Sequence, residues 1–162
     1  MERKMEFQEL CELLETKQYT KLRQFLAELN DADIAALMEE LDEESLLKVY
    51  RILPKDLAAD VFSYLEVDSQ QMIINSLSDK EAANVIDNLM ADDAVDFLEE
   101  MPANVVDKIL ANAKPDTRQA INHLLRYPED SAGSIMTVEY VSLKENLTVN
   151  QAIEHIRKVG LD

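Results

Sequence analysis

Carboxylates are the residues of this chain most able to do chemistry. The 162 residues carry 33 Asp and Glu against 16 Lys and Arg, a net charge of −17. The excess is concentrated in residues 30–101, where nineteen acids face only Lys48, Arg51, Lys55 and Lys80. Residues 1–29 and 102–162 are close to neutral. The natural complement of such a surface is a cation or a basic protein surface. Nucleic acid and anionic lipid are poor partners, because binding them relies on basic groups that displace counterions. A plainer role is also open, in which the acids only keep the fold soluble. Within "ADDAVD", Asp92 and Asp96 stand four residues apart, where like charges on one helical face repel.

The other residue types argue against catalysis. The two histidines, His123 and His155, have no cluster suited to zinc and are expected at the surface or its boundary. Gly133 and Gly160 are the only glycines, and neither a phosphate loop, a nucleophile elbow nor a metalloprotease helix is present. An Asp-x-Asp-x-Asp-Gly calcium loop is also absent. Cys11 is the sole cysteine, expected as an inert thiol on an apolar helix face. No enzyme is expected.

The acids are carried on a repeat. Residues 30–125 can be written as eight lines of twelve, from NDADIAALMEEL to KPDTRQAINHLL. The eighth column reads Leu37, Val49, Val61, Ile73, Val85, Phe97, Ile109, Ile121. The twelfth runs from Leu41 to Leu125 without a polar residue, and the ninth fails only at Asn122. This spacing predicts one short amphipathic helix per line. Asn30, Asp42 and Ser78 suit caps, while Pro54 and Pro102 suit first-turn positions. Helices this short are stable only when stacked on neighbours, so the expected fold is all-α, a superhelical stack of either hand. Two earlier helices, over Met1–Lys17 and Thr20–Leu29, lead into it. Tyr50, Phe62, Tyr64 and Phe97 fall on or beside the apolar columns and are expected in the core. Asp60 and Asp96 share column seven, opposite the apolar columns, and should face outward.

After Leu125 the texture changes. Pro128 and Gly133 punctuate a connector, Val138–Leu143 reads as a short strand, and Thr148 caps a helix bearing Ala152, Ile153, Ile156 and Val159 that Gly160 ends. One strand and one helix do not make a domain. The expected division is 1–126 helical, 127–137 connector, and 138–162 the truncated beginning of an α/β unit. No apolar run approaches the roughly 20 residues of a membrane span, and no signal peptide opens the chain. The segment reads as soluble and cytosolic, with no membrane insertion of its own.

The run "YPEDSAGSIMTVEYVSL" resembles the entry to the first CBS domain of the MgtE family of magnesium transporters and channels. "LPKDLAADVFSYL" and "MADDAVDFLEEM" are similar to the acidic helical N domain that precedes it there. The resemblance implies a cytosolic regulatory region on the inner face of the membrane, a homodimer joined to a CBS pair and a transmembrane domain. Mg²⁺ bound between the N and CBS domains would favour a closed state, and low Mg²⁺ would release it. The ligands carried over are Asp60, Asp92 and Asp96, with the backbone carbonyl of Ser134, which stands where the family often has Gly. Mg²⁺ takes oxygen ligands and keeps several waters, so one or two carboxylates per site suffice. Asp87, Asp93, Glu99 and Glu100 are expected to be solvated. The competing reading is an acidic helical-repeat adaptor that docks a basic protein.

Overall fold

The computed structural model describes residues 2–128 and 131–159. Among them are eleven helices and no strand. They are α1 (Glu2–Glu15), α2 (Tyr19–Leu26), α3 (Asp31–Met38), α4 (Glu43–Ile52), α5 (Lys55–Ser63) and α6 (Val67–Ser76). There follow α7 (Asp79–Ile86), α8 (Ala91–Glu99), α9 (Ala103–Asn112), α10 (Pro115–Leu124) and α11 (Val149–Val159). Each twelve-residue line yields one helix, α3 to α10. The expected caps form: Asn30 accepts from the Asp33 N–H at 3.0 Å and Asp42 from the Ser45 N–H at 3.1 Å. Ser78 and Glu81 close a reciprocal capping box on α7. Pro54 and Pro102 stand one position earlier than expected, at the N-caps of α5 and α9.

Helices two apart in the chain pack on one another: α3 on α5, α4 on α6, α5 on α7, α7 on α9 and α8 on α10. The eighth column is buried except Val85, which is half-buried. Phe62 lies at the centre, edge-on to Phe97 with ring centroids 5.1 Å apart. The helices end in right-handed or extended backbone, which any residue adopts, so the repeat needs no glycine. Charged side chains from neighbouring helices serve the free ends. Glu39 accepts from the Glu66 N–H at 2.9 Å and Asp87 from the Lys114 N–H at 2.8 Å, at the starts of α6 and α10. Arg23 donates to the Ile52 carbonyl at 3.1 Å and Arg51 to the Ser76 carbonyl at 3.0 Å, at the ends of α4 and α6. This is the sense the helix dipole favours.

Two expectations need correcting, the strand over 138–143 and the burial of Tyr64. Residues 138–143 form no strand, since a strand requires a partner for its backbone and none is present among the described residues. The α/β character expected of 138–162 is therefore not seen there. Tyr64 is exposed at the C-cap of α5, one column short of the buried Leu65. The α11 face is bare, with Ile153, Ile156 and Val159 all exposed. Thr148 does cap α11, accepting from the Gln151 N–H at 3.4 Å. Met1, Glu129, Asp130 and the Gly160 stop lie outside the described residues.

Candidate cation site on the acidic face

The start of α8 gathers the acids. Met90 at its N-cap offers no side-chain acceptor. The Ala91 N–H donates instead to Glu139 Oε1, at 3.1 Å, from the stretch after α10. Glu139 is itself fixed by Thr137, whose hydroxyl donates to Oε2 at 3.1 Å and accepts from the Glu139 N–H at 3.2 Å. Met136 and Val138 pack partly buried against the core on either side. This stretch is thus tied to α8 by a polar cap and to the core by two apolar side chains.

The adjoining first turn carries Asp92 and Asp93, both half-buried. Asp92 Oδ1 is shielded from solvent and has no hydrogen-bond partner among the described residues. Burial raises the Asp93 carboxyl above the ordinary range, and the charges of Asp92, Asp96, Glu139 and Asp60 raise it further. Asp60 on α5 is also raised, by burial first and then by Asp31 and Asp56. It borders two cavities. One, of about 600 Å³, is also lined by Asp87, Asp116 and Glu139. The other, of about 150 Å³, is shared with Asp31 and Asp93. Asp96 is exposed on α8, as Asp60 is on α5.

Of the four expected ligands, Asp60, Asp92 and Asp96 therefore act on one point, Asp93. Only Asp60 of the four lines the two cavities; Asp92, Asp96 and Ser134 line neither. Ser134 sits half-buried in a turn, its N–H and hydroxyl both donating to the Ser131 carbonyl, at 3.1 and 2.9 Å. Among the described residues no three acids, histidines or cysteines stand close enough to hold an ion by themselves. What the arrangement offers is a group of carboxylates whose charges reach Asp93, with one orphaned acceptor that a cation or a donor would satisfy.

Sequence reasoning missed Asp93 and Glu139. Asp93 sits in column four, and Leu57 and Val105 in that same column are half-buried, so this column was not a solvent column. Nothing in the sequence placed Glu139 at α8. Asp87 is not simply solvated, since it caps α10, whereas Glu99 and Glu100 are exposed as expected. Cys11 is half-buried, its thiol pushed up by burial and then by Glu15, Asp42 and Glu40. Both histidines are exposed.

Fold and site together define an acidic helical-repeat domain whose carboxylates crowd at one helix start. Residues 29–130 match the family described as the MgtE intracellular N domain, and the chain belongs to that family. It is 33% identical over 157 residues to the magnesium transporter MgtE of Thermus thermophilus, covering 94% of this chain and 35% of that protein. The crystal structure of the soluble part of a magnesium transporter superposes with a TM-score of 0.87 at 27% identity, covering 96% of this chain and 62% of that one. The cytosolic domain of the Mg²⁺ channel MgtE in complex with ATP gives a TM-score of 0.79 at 33% identity, covering 93% and 62%. The chain spans about a third of the length of the curated relatives it matches. No described helix is long and apolar enough to cross a membrane.

Proposed function

We propose that this chain is the Mg²⁺-sensing part of the cytosolic regulatory region of a magnesium transporter or channel. The observation that carries the reading is the orphaned, buried Asp92 Oδ1 beside a carboxyl, Asp93, whose charge is already disfavoured by burial and by four neighbouring acids. A divalent cation there would satisfy the oxygen and offset the repulsion. The residues that would hold it are Asp60, Asp92 and Asp96, with Asp93 and Glu139 shaping the field. The Ser134 carbonyl is a further ligand of the same proposal.

Residues 138–162 are, in this reading, the opening of a CBS domain. The unpaired 138–143 stretch and the bare apolar face of α11 support it, since both would be completed by the rest of such a domain. The carboxylates of the acidic face would then meet oxygens from the CBS side, within a homodimer on the cytoplasmic face of the membrane that also carries a transmembrane domain. A cation shared between the two surfaces binds only when they are together. Its differential affinity shifts the equilibrium to the closed form, and its loss releases that form for transport.

The test is small-angle scattering of the region extended through the whole CBS pair, titrated with Mg²⁺ and compared with monovalent salt at equal ionic strength. Mg²⁺-specific compaction, weakened by Asp92→Ala/Asp96→Ala, is the expected result. A response that tracks ionic strength alone would overturn the sensor and leave the acidic adaptor for a basic protein.

A further inference from the structure

The basic residues of the acidic segment are not scattered. Three of the four in residues 30–101, Arg51, Lys55 and Lys80, line one cleft of about 440 Å³ where the end of α4 meets the starts of α5 and α7. None of the three makes an ion pair within 4 Å among the described residues. Lys55 and Lys80 occupy first turns, where the helix dipole favours acids, so helix formation gives no reason for them. The first turn of α5 has no side-chain cap, Pro54 holding the N-cap position, and its N–H groups are available to an anion. Tyr50 forms part of the wall, is only 6% exposed, and its hydroxyl has no hydrogen-bond partner among the described residues. Leu53, Ala58 and Val85 make the remaining wall apolar, and Asn84 adds an amide. The one carboxylate present, Glu81, is engaged with Ser78 through its N–H at 2.9 Å and its hydroxyl at 2.7 Å.

We infer that this cleft binds a small organic anion, a phosphate monoester or polycarboxylate with an apolar portion. The anionic group would lie between Arg51, Lys55 and Lys80, and the apolar portion against Leu53, Val85 and the Tyr50 ring. The volume falls within the range of small-molecule sites. Concentrating these cations in one place offsets a domain field that otherwise repels anions. Asp60 does not line this cleft, so the inference is independent of the cation reading.

The test is a titration of the 162-residue chain, followed by amide nitrogen–proton NMR in Mg²⁺-free buffer at constant ionic strength. The probes are phenyl phosphate, citrate and inorganic phosphate. Saturable shifts confined to residues 50–58 and 77–88, with a Kd of about 1 mM or tighter for phenyl phosphate or citrate, are expected. Tighter binding of phenyl phosphate than of inorganic phosphate would show that the apolar wall contributes. Lys55→Gln/Lys80→Gln replaces exposed side chains, leaves the Arg51–Ser76 bond in place, and should weaken binding roughly tenfold. No saturation by about 10 mM, shifts equal to those of chloride, or affinity unchanged in the double-lysine variant would overturn the site.

Discussion

The repeat array and the segment that follows it obey different rules. From α3 to α10 every helix finds neighbours for its apolar stripe, and residues such as Val49, Val61, Ile73 and Ile121 are wholly buried. In α11 the stripe is as regular, yet no residue of that helix is buried. Amphipathic patterning therefore specifies a helix without specifying what covers it. The two regions are joined through Glu139, which bonds to the start of α8, and through Met136 and Val138, which pack on the core.

The largest test of this contrast is one substitution in each region. Phe62→Ala empties a fully buried site between Tyr50 and Phe97 and should cost about 3–5 kcal/mol in denaturant unfolding. Ile156→Ser, on the exposed face of α11, should change it by less than about 0.5 kcal/mol. Comparable losses would mean that α11 packs on the array after all. The fastening comes next. Glu139→Ala leaves the part-buried Ala91 N–H without an acceptor and should cost about 2 kcal/mol, with faster hydrogen exchange at that amide. Glu139→Gln keeps an acceptor there and should restore most of the protection. Exchange unchanged in both variants would show that Glu139 does not cap α8. The smallest pair compares two caps. Asn30→Ala at the head of α3 should cost about 1 kcal/mol of global stability. Thr148→Ala should fray only α11, visible in exchange at Gln151 but not in the cooperative transition.

The same contrast explains what could be read in advance. Columns eight, nine and twelve located the helices and most of the core, and the residues opening each line located the caps at Asn30, Asp42 and Ser78, because those depend on residues a few positions apart. Val138–Leu143 has strand composition, but strand formation depends on a partner, and no local pattern supplies one. The outward direction of Asp60 and Asp96 followed from column seven. Asp93 is crowded first by burial and by its neighbours Asp92 and Asp96, and then by Glu139, 46 residues later, which returns to α8 through a bond within no helix or repeat. Likewise, Arg51, Lys55 and Lys80 read as isolated charges in an acidic segment until α4, α5 and α7 bring them to one cleft.

The acidic face makes its own prediction about pH. Asp60 and Asp93 both have carboxyls raised above the usual range, chiefly by burial. Groups shifted in that direction favour folding fully below their unfolded pKa, and that contribution is lost as pH rises through the folded pKa. Asp42 and Glu81 are held low, mainly by their bonds to Ser45 and Ser78, and pull the other way, losing their contribution as pH falls. The informative quantity is therefore a difference between proteins. As pH falls from neutral toward the ordinary carboxylate pKa of about 4, the wild type should gain more thermal stability, or lose less, than Asp60→Asn/Asp93→Asn. On the proposed reading, a divalent cation would take the place of the proton at neutral pH in relieving the same repulsion. Millimolar Mg²⁺ at matched ionic strength should accordingly raise the wild-type midpoint and leave the double variant nearly unmoved. Parallel pH curves would show that the two carboxyls are not strained by folding. A Mg²⁺ effect equal in both proteins would move the cation away from this face.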